Sequence, residues 1–128
     1  MSYHFTKTVP GTPEAVIERV TKALAERGFG VLTTIDVQAT LKRKIGADFR
    51  PYTILGACNP NFAHRALLAE DKIGAMLPCN VVVQQREDGA VEVSAVDPLA
   101  SMRAIENPAL ADIAGQVRDL LKQTVDSL

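Results

Sequence analysis

Two cysteines, Cys58 and Cys79, hold most of the chemical interest of this sequence. Cys58 stands directly before Asn59-Pro60, a cap-plus-proline pair that opens a helix. A thiol beside a helix N-terminus meets the positive end of the dipole. That favours the thiolate, and with it nucleophilic, redox or soft-metal chemistry. The competing reading is a small apolar residue closing a buried strand, where free cysteine commonly lies. His64 comes six residues after Cys58, but its neighbours Asn61 and Arg65 assign it to a solvated helix face. Close ligand pairs such as C-x2-C or H-x3-H do not occur, so no metal and no cofactor is expected.

A second set of polar residues sits at element boundaries: Asp36, Asn59, Asn80, Asp97 and Asn107. Asp36, Asn59, Asp97 and Asn107 each read as a helix cap, and the last three are followed directly by proline. A device used so often is architecture first. No G-x-S-x-G elbow, P-loop or G-x-G-x-x-G fingerprint occurs, and the glycines fall singly at element ends. With no recognisable catalytic constellation, the reading leans away from an enzyme. Lys42-Arg43-Lys44 reads as a basic C-terminal helix turn that offsets the dipole.

The elements that must position these residues follow from periodicity. Tyr3, Phe5 and Val9 alternate with His4, Thr6 and Thr8 as in a half-buried strand. Thr12-Pro13 opens a helix striped by Val16, Ile17, Val20, Ala23 and Leu24 that Gly28 stops. A strand over Phe29–Thr34, a short helix from Asp36 to about Lys44, and a strand over Tyr52–Ala57 come next. A helix over 60–71 then leads to the doubly apolar Val81-Val82-Val83 and, past Glu87-Asp88-Gly89-Ala90, to the alternating run 91–96. Leu110, Ile113, Ala114, Val117, Leu120 and Leu121 stripe the last helix.

The order β-α-β-α-β-α-β-β-α predicts an α+β two-layer sandwich: about five strands, with helices mainly on one face. If the strand–helix–strand run 52–86 forms a right-handed crossover, its two strands are parallel. Its helix of about twelve residues would hold Cys58 and Cys79 roughly 18 Å apart, beyond the roughly 7 Å a disulfide allows, so a bridge is disfavoured unless the 72–78 loop folds back. The same logic groups Asp36 with Cys58 and Asn59 as the better ligand edge. Asp97 falls with Cys79 and Asn80 at the opposite edge.

The blocks Phe29-Gly30-Val31-Leu32-Thr33, Ile35-Asp36-Val37-Gln38-Ala39-Thr40-Leu41 and Tyr52-Thr53-Ile54-Leu55-Gly56-Ala57-Cys58-Asn59-Pro60 come in a telling order. They continue through Ala63-His64-Arg65-Ala66-Leu67, Leu77-Pro78-Cys79-Asn80-Val81 and Val96-Asp97-Pro98. Together they closely resemble the DUF302 family, small α+β domains of unassigned activity. The resemblance implies fold and motif order and brings no reaction with it. It departs at Thr34, where many relatives carry an acidic residue, which leaves no carboxylate for a role there.

Composition bounds the class. The chain has 128 residues, 47% hydrophobic and 23% charged, with a formal net charge of −1. That is one domain, 1–128, with a real core. There is no basic excess to neutralise phosphates and no tryptophan, so nucleic-acid binding is not expected. No apolar stretch is long enough for a membrane span or a signal core, and a cytoplasmic protein with reduced thiols is expected. The open sheet edge calls for a homodimer. Two functions are expected from this reading. The first is a homodimeric small-ligand-binding or accessory module with Asp36, Cys58, Asn59, Cys79, Asn80 and Asp97 as candidate ligand residues. The alternative is a thiol-dependent redox or metal-handling protein using Cys58, with or without Cys79.

Overall fold

The computed structural model describes residues 2–128. Five strands form one antiparallel sheet in the order β1-β5-β4-β3-β2: β1 His4–Val9, β2 Gly30–Asp36, β3 Tyr52–Cys58, β4 Cys79–Gln85 and β5 Val91–Val96. The helices are α1 Pro13–Ala25, α2 Val37–Ile45, α3 Pro60–Ala69, the short α4 Pro98–Ser101 and α5 Pro108–Asp126. This is the expected α+β sandwich with an open sheet.

Local chemistry sets the helix starts. Thr12, Asp36, Asn59, Asp97 and Asn107 each accept a backbone N–H with the side chain, and all but Asp36 are followed by proline. Gly46, at φ 67°, closes α2 in the left-handed conformation that a Cβ would strain. Helix α3 ends at Ala69, two residues earlier than its sequence predicts, and a 3-10 turn over Ile73–Met76 follows.

The core lies between the sheet and one helical layer. Val16, Val20 and Leu24 of α1, with Leu110, Ile113, Val117 and Leu121 of α5, pack on Leu55, Val81, Val83, Val91 and Val93. The spacing of each helical set is three or four residues, which puts it on one face. The β2–α2 unit stands apart: no residue of α2 is buried, and β2 is exposed or half-exposed throughout. The accessible surface is 7369 Å², above the roughly 6,600 Å² of a compact chain of this mass.

One expectation is overturned. Strands β3 and β4 are antiparallel, pairing Tyr52 with Gln84 and Ala57 with Cys79. Helix α3 is therefore an excursion at one end of a hairpin, not a crossover. Strands β2 and β3 are antiparallel as well, pairing Asp36 with Thr53 and Gly30 with Cys58.

Candidate functional site

The antiparallel return brings the cysteines together. Cys79 opens β4 opposite Ala57, and Cys58 is the next residue along β3. Diagonal neighbours in such a ladder have Cα atoms roughly 6 Å apart. The expected separation across a helix length is thus corrected: it rested on parallel strands, and these strands are not parallel. Both cysteines are free thiols, Cys58 half-buried and Cys79 buried. They line one cavity of about 40 Å³ between the sheet end, α3 and α5, walled by Phe62, Met102, Leu110 and Val117. So small and apolar a space holds about one water-sized guest.

The chain around the pair is tightly constrained. Residue 56 must be glycine, because a Cβ there would press into Thr33 Oγ1 and come within 2.8 Å of Pro78 Cγ. Pro78 follows a cis Leu77–Pro78 bond and leads straight into Cys79. On the other side, Asn59 caps α3 through Phe62 N–H, which donates to Oδ1 at 3.3 Å. Its Nδ2 lies 2.9 Å from where a Cβ on Gly28 would stand, so Gly28 (φ 84°) leaves room for the cap.

Electrostatics separate the two thiols. Burial pushes the Cys79 thiol up to about 11 from 9.0, and the neighbouring Cys58 raises it further in the same direction. A thiolate inside an apolar wall loses its hydration, and a second sulfur charge nearby repels it. Cys79 is accordingly a protonated thiol at neutral pH. Among the described residues, no three His, Cys, Asp or Glu side chains gather into a cluster.

The remaining candidates divide by position. Asp36 lies at the far end of β3 from Cys58, so the edge expected to join Asp36, Cys58 and Asn59 does not form. Its Oδ1 accepts Ala39 N–H at 2.9 Å, a capping role. Asp97 stays near Cys79, because the β4–β5 register pairs Val81 with Ala95 and runs on toward both. Its Oδ1 accepts Leu99 N–H at 3.0 Å, and its Oδ2 accepts Arg118 Nε–H at 3.2 Å. Asn80 points away from the thiols, into an open-face groove of about 370 Å³ with Tyr3, His4, Tyr52 and Gln84. His64 is exposed, as its neighbours imply. His4 Nδ1 lies 2.5 Å from Thr6 Oγ1 on the open face. Met102 escaped sequence reasoning altogether: it follows α4 outside every motif, and only the fold carries it to the cysteines.

Residues 5–128 match the family described as Domain of unknown function DUF302. The chain belongs to the DUF302 family. It is similar to the crystal structure of an uncharacterized conserved DUF302 protein from Bacillus stearothermophilus, at 34% identity over 98% of each chain with a TM-score of 0.91. No curated protein matches the chain. The DUF302 assignment thus agrees with the fold and adds no reaction to it. For this DUF302 chain, the chemistry has to be argued from the Cys58–Cys79 end of the sheet.

Proposed function

We propose that this protein is a thiol-dependent redox module whose working unit is the Cys58–Cys79 pair. One observation carries the reading: Cys58 is the chain neighbour of Ala57, the register partner of Cys79, and both cysteines line one cavity. Residues offset by one across such a ladder have Cα atoms roughly 6 Å apart, a spacing disulfides span, and the shared cavity and the influence of Cys58 on the Cys79 thiol support side chains that approach each other. The division of labour follows from burial. Cys58, half-buried, is the attacking thiol; Cys79, buried and protonated, is the resolving one.

The exchange partner is a low-molecular-weight disulfide. The Cys58 thiolate attacks one of its sulfurs, breaks its S–S bond and releases one thiol, which takes up a proton. Cys79 then gives up its proton and attacks Cys58 Sγ, forming the intramolecular disulfide and expelling the second thiol. The protein pair loses two electrons and the small disulfide gains them.

The test equilibrates reduced protein with glutathione redox buffers, quenches by alkylation and reads the intact mass. The wild type is expected to lose two hydrogens with no adduct, and Cys79→Ser to stop as a mixed disulfide on Cys58. Two alkylatable thiols throughout the series, or a persistent adduct on the wild type, would refute the exchange.

A homodimer has its own support. Leu32, Ile35 and Ile45 are 67%, 47% and 72% exposed on the edge unit β2–α2, which buries nothing of α2. Exposed apolar side chains on an edge strand and the helix that follows it suit a second copy of the same unit. Light scattering on the wild type and on Leu32→Lys/Ile35→Lys tests it. A dimer that becomes a monomer supports the reading, and a monomeric wild type removes it.

A further inference from the structure

A third sulfur-bearing residue lines the cavity. Met102 follows α4 and is buried against the same space that Cys58 and Cys79 line. No carboxylate or imidazole lines it, and the walls beyond the sulfurs are almost entirely apolar: Phe62, Leu77, Leu110 and Ile113 among them. Three sulfur-bearing residues, one at the end of β3, one at the start of β4 and one just after α4, line the same small apolar space.

We propose that Cys58, Cys79 and Met102 form a three-sulfur site for a single soft monovalent cation of the copper(I) class. This rests on the thiol-pair reading, since it uses the same two cysteines. Ligand softness decides the cation. Thiolates and thioethers select copper(I), whereas magnesium, calcium and manganese require oxygen donors. Zinc calls for four ligands in a structural site, and no three His, Cys, Asp or Glu side chains cluster among the described residues. The apolar lining offers the ion no oxygen or nitrogen side-chain ligand beyond Asn59, which favours a bare soft cation on sulfur over a hydrated one.

The balance of the step is simple. One copper(I) ion enters, two Cu–S bonds form to the cysteines, and two protons leave; the Met102 thioether donates without losing one. No electron is exchanged on binding. Oxidation of the pair by the small disulfide, which takes the two electrons and leaves as two thiols, removes both thiolates and releases the ion still as copper(I), which couples cargo to redox state.

The test uses reduced full-length protein under anaerobic conditions, with copper(I) supplied as its bicinchoninate complex and loss of the complex colour read against protein concentration. The wild type is expected to withdraw one copper(I) per chain. Cys58→Ser and Cys79→Ser should each lose retention. Met102→Leu, which keeps an apolar side chain of similar size, should weaken it about tenfold, a modest effect for a partner of a metal site. Circular dichroism on each variant checks the fold. A wild type that leaves the complex intact overturns the site, and so does an affinity unchanged in a folded Met102→Leu protein. Copper uptake without disulfide formation in the redox series defeats only the exchange. Disulfide formation without copper uptake defeats only the metal site.

Discussion

Cys79 faces Ala57 across strands β3 and β4, and the residue that follows Ala57 is Cys58. Twenty residues of helix and loop separate the cysteines along the chain, yet the hairpin closes them into a single cavity. Their unequal burial gives them unequal chemistry.

Native-state alkylation should proceed in order. Iodoacetamide is expected to modify half-buried Cys58 first, and buried Cys79 only through opening of the structure. Peptide mass mapping over a time course reads the order directly. Equal rates at both sites would mean that the cavity is open to solvent.

Stability should fall at alkaline pH through Cys79. Its folded-state value, about 11, lies above the reference value of 9.0. Between these the unfolded chain has released a proton that the folded chain retains, so stability falls as pH rises. The contribution is complete below pH 9 and lost by pH 11, at most about 3 kcal/mol. Urea unfolding across that range should show the slope in wild type and lack this part of it in Cys79→Ala.

Gly56→Ala should be costly. The added Cβ meets Thr33 Oγ1 on one side and Pro78 Cγ at 2.8 Å on the other, inside the most constrained part of the sheet. Overpacking of this kind costs about 3 kcal/mol, a drop of about 10 °C in Tm for a domain of this size. Thr33→Ala in the same chain should recover part of the loss, since it removes one of the two obstacles. A thermal melt of the double variant no better than Gly56→Ala would assign the cost to Pro78 alone.

Asp97 should prove structural. Its carboxylate both caps α4 and accepts Arg118 Nε–H, which ties the end of β5 to α5. Asp97→Ala should cost about 2 kcal/mol, the sum of a lost cap and a lost charge-assisted bond. Asp97→Asn retains the capping oxygen and should keep about half of that. Chemical denaturation checks both, and thiol exchange should survive in the folded variants.

Much of this molecule was legible in the chain because the signals involved are short-range. Each helix start is decided by a side chain and a backbone N–H two or three residues away, so Thr12, Asp36, Asn59, Asp97 and Asn107 could be read directly as caps. Stripes on α1 and α5 announced their buried faces, and the alternation in β5 announced its own. The α+β class follows from those elements alone. The DUF302 motifs, in order, pointed the same way.

Strand direction is a different kind of fact. A helix between two strands serves a parallel crossover and an antiparallel return equally well, and nothing local to Asn59 or Pro78 says which. The choice is made by what buries the helix, and α3 packs beside α5, which lies far along the chain. Register then depends on pairings such as Ala57 with Cys79 that no segment carries by itself. The sequence alone therefore determined the elements, the caps and the family. Only the tertiary structure decided that Asp36 stands apart, that Cys58 and Cys79 share a cavity, and that Met102 joins them, because long-range packing alone selects among topologies that local interactions leave equal.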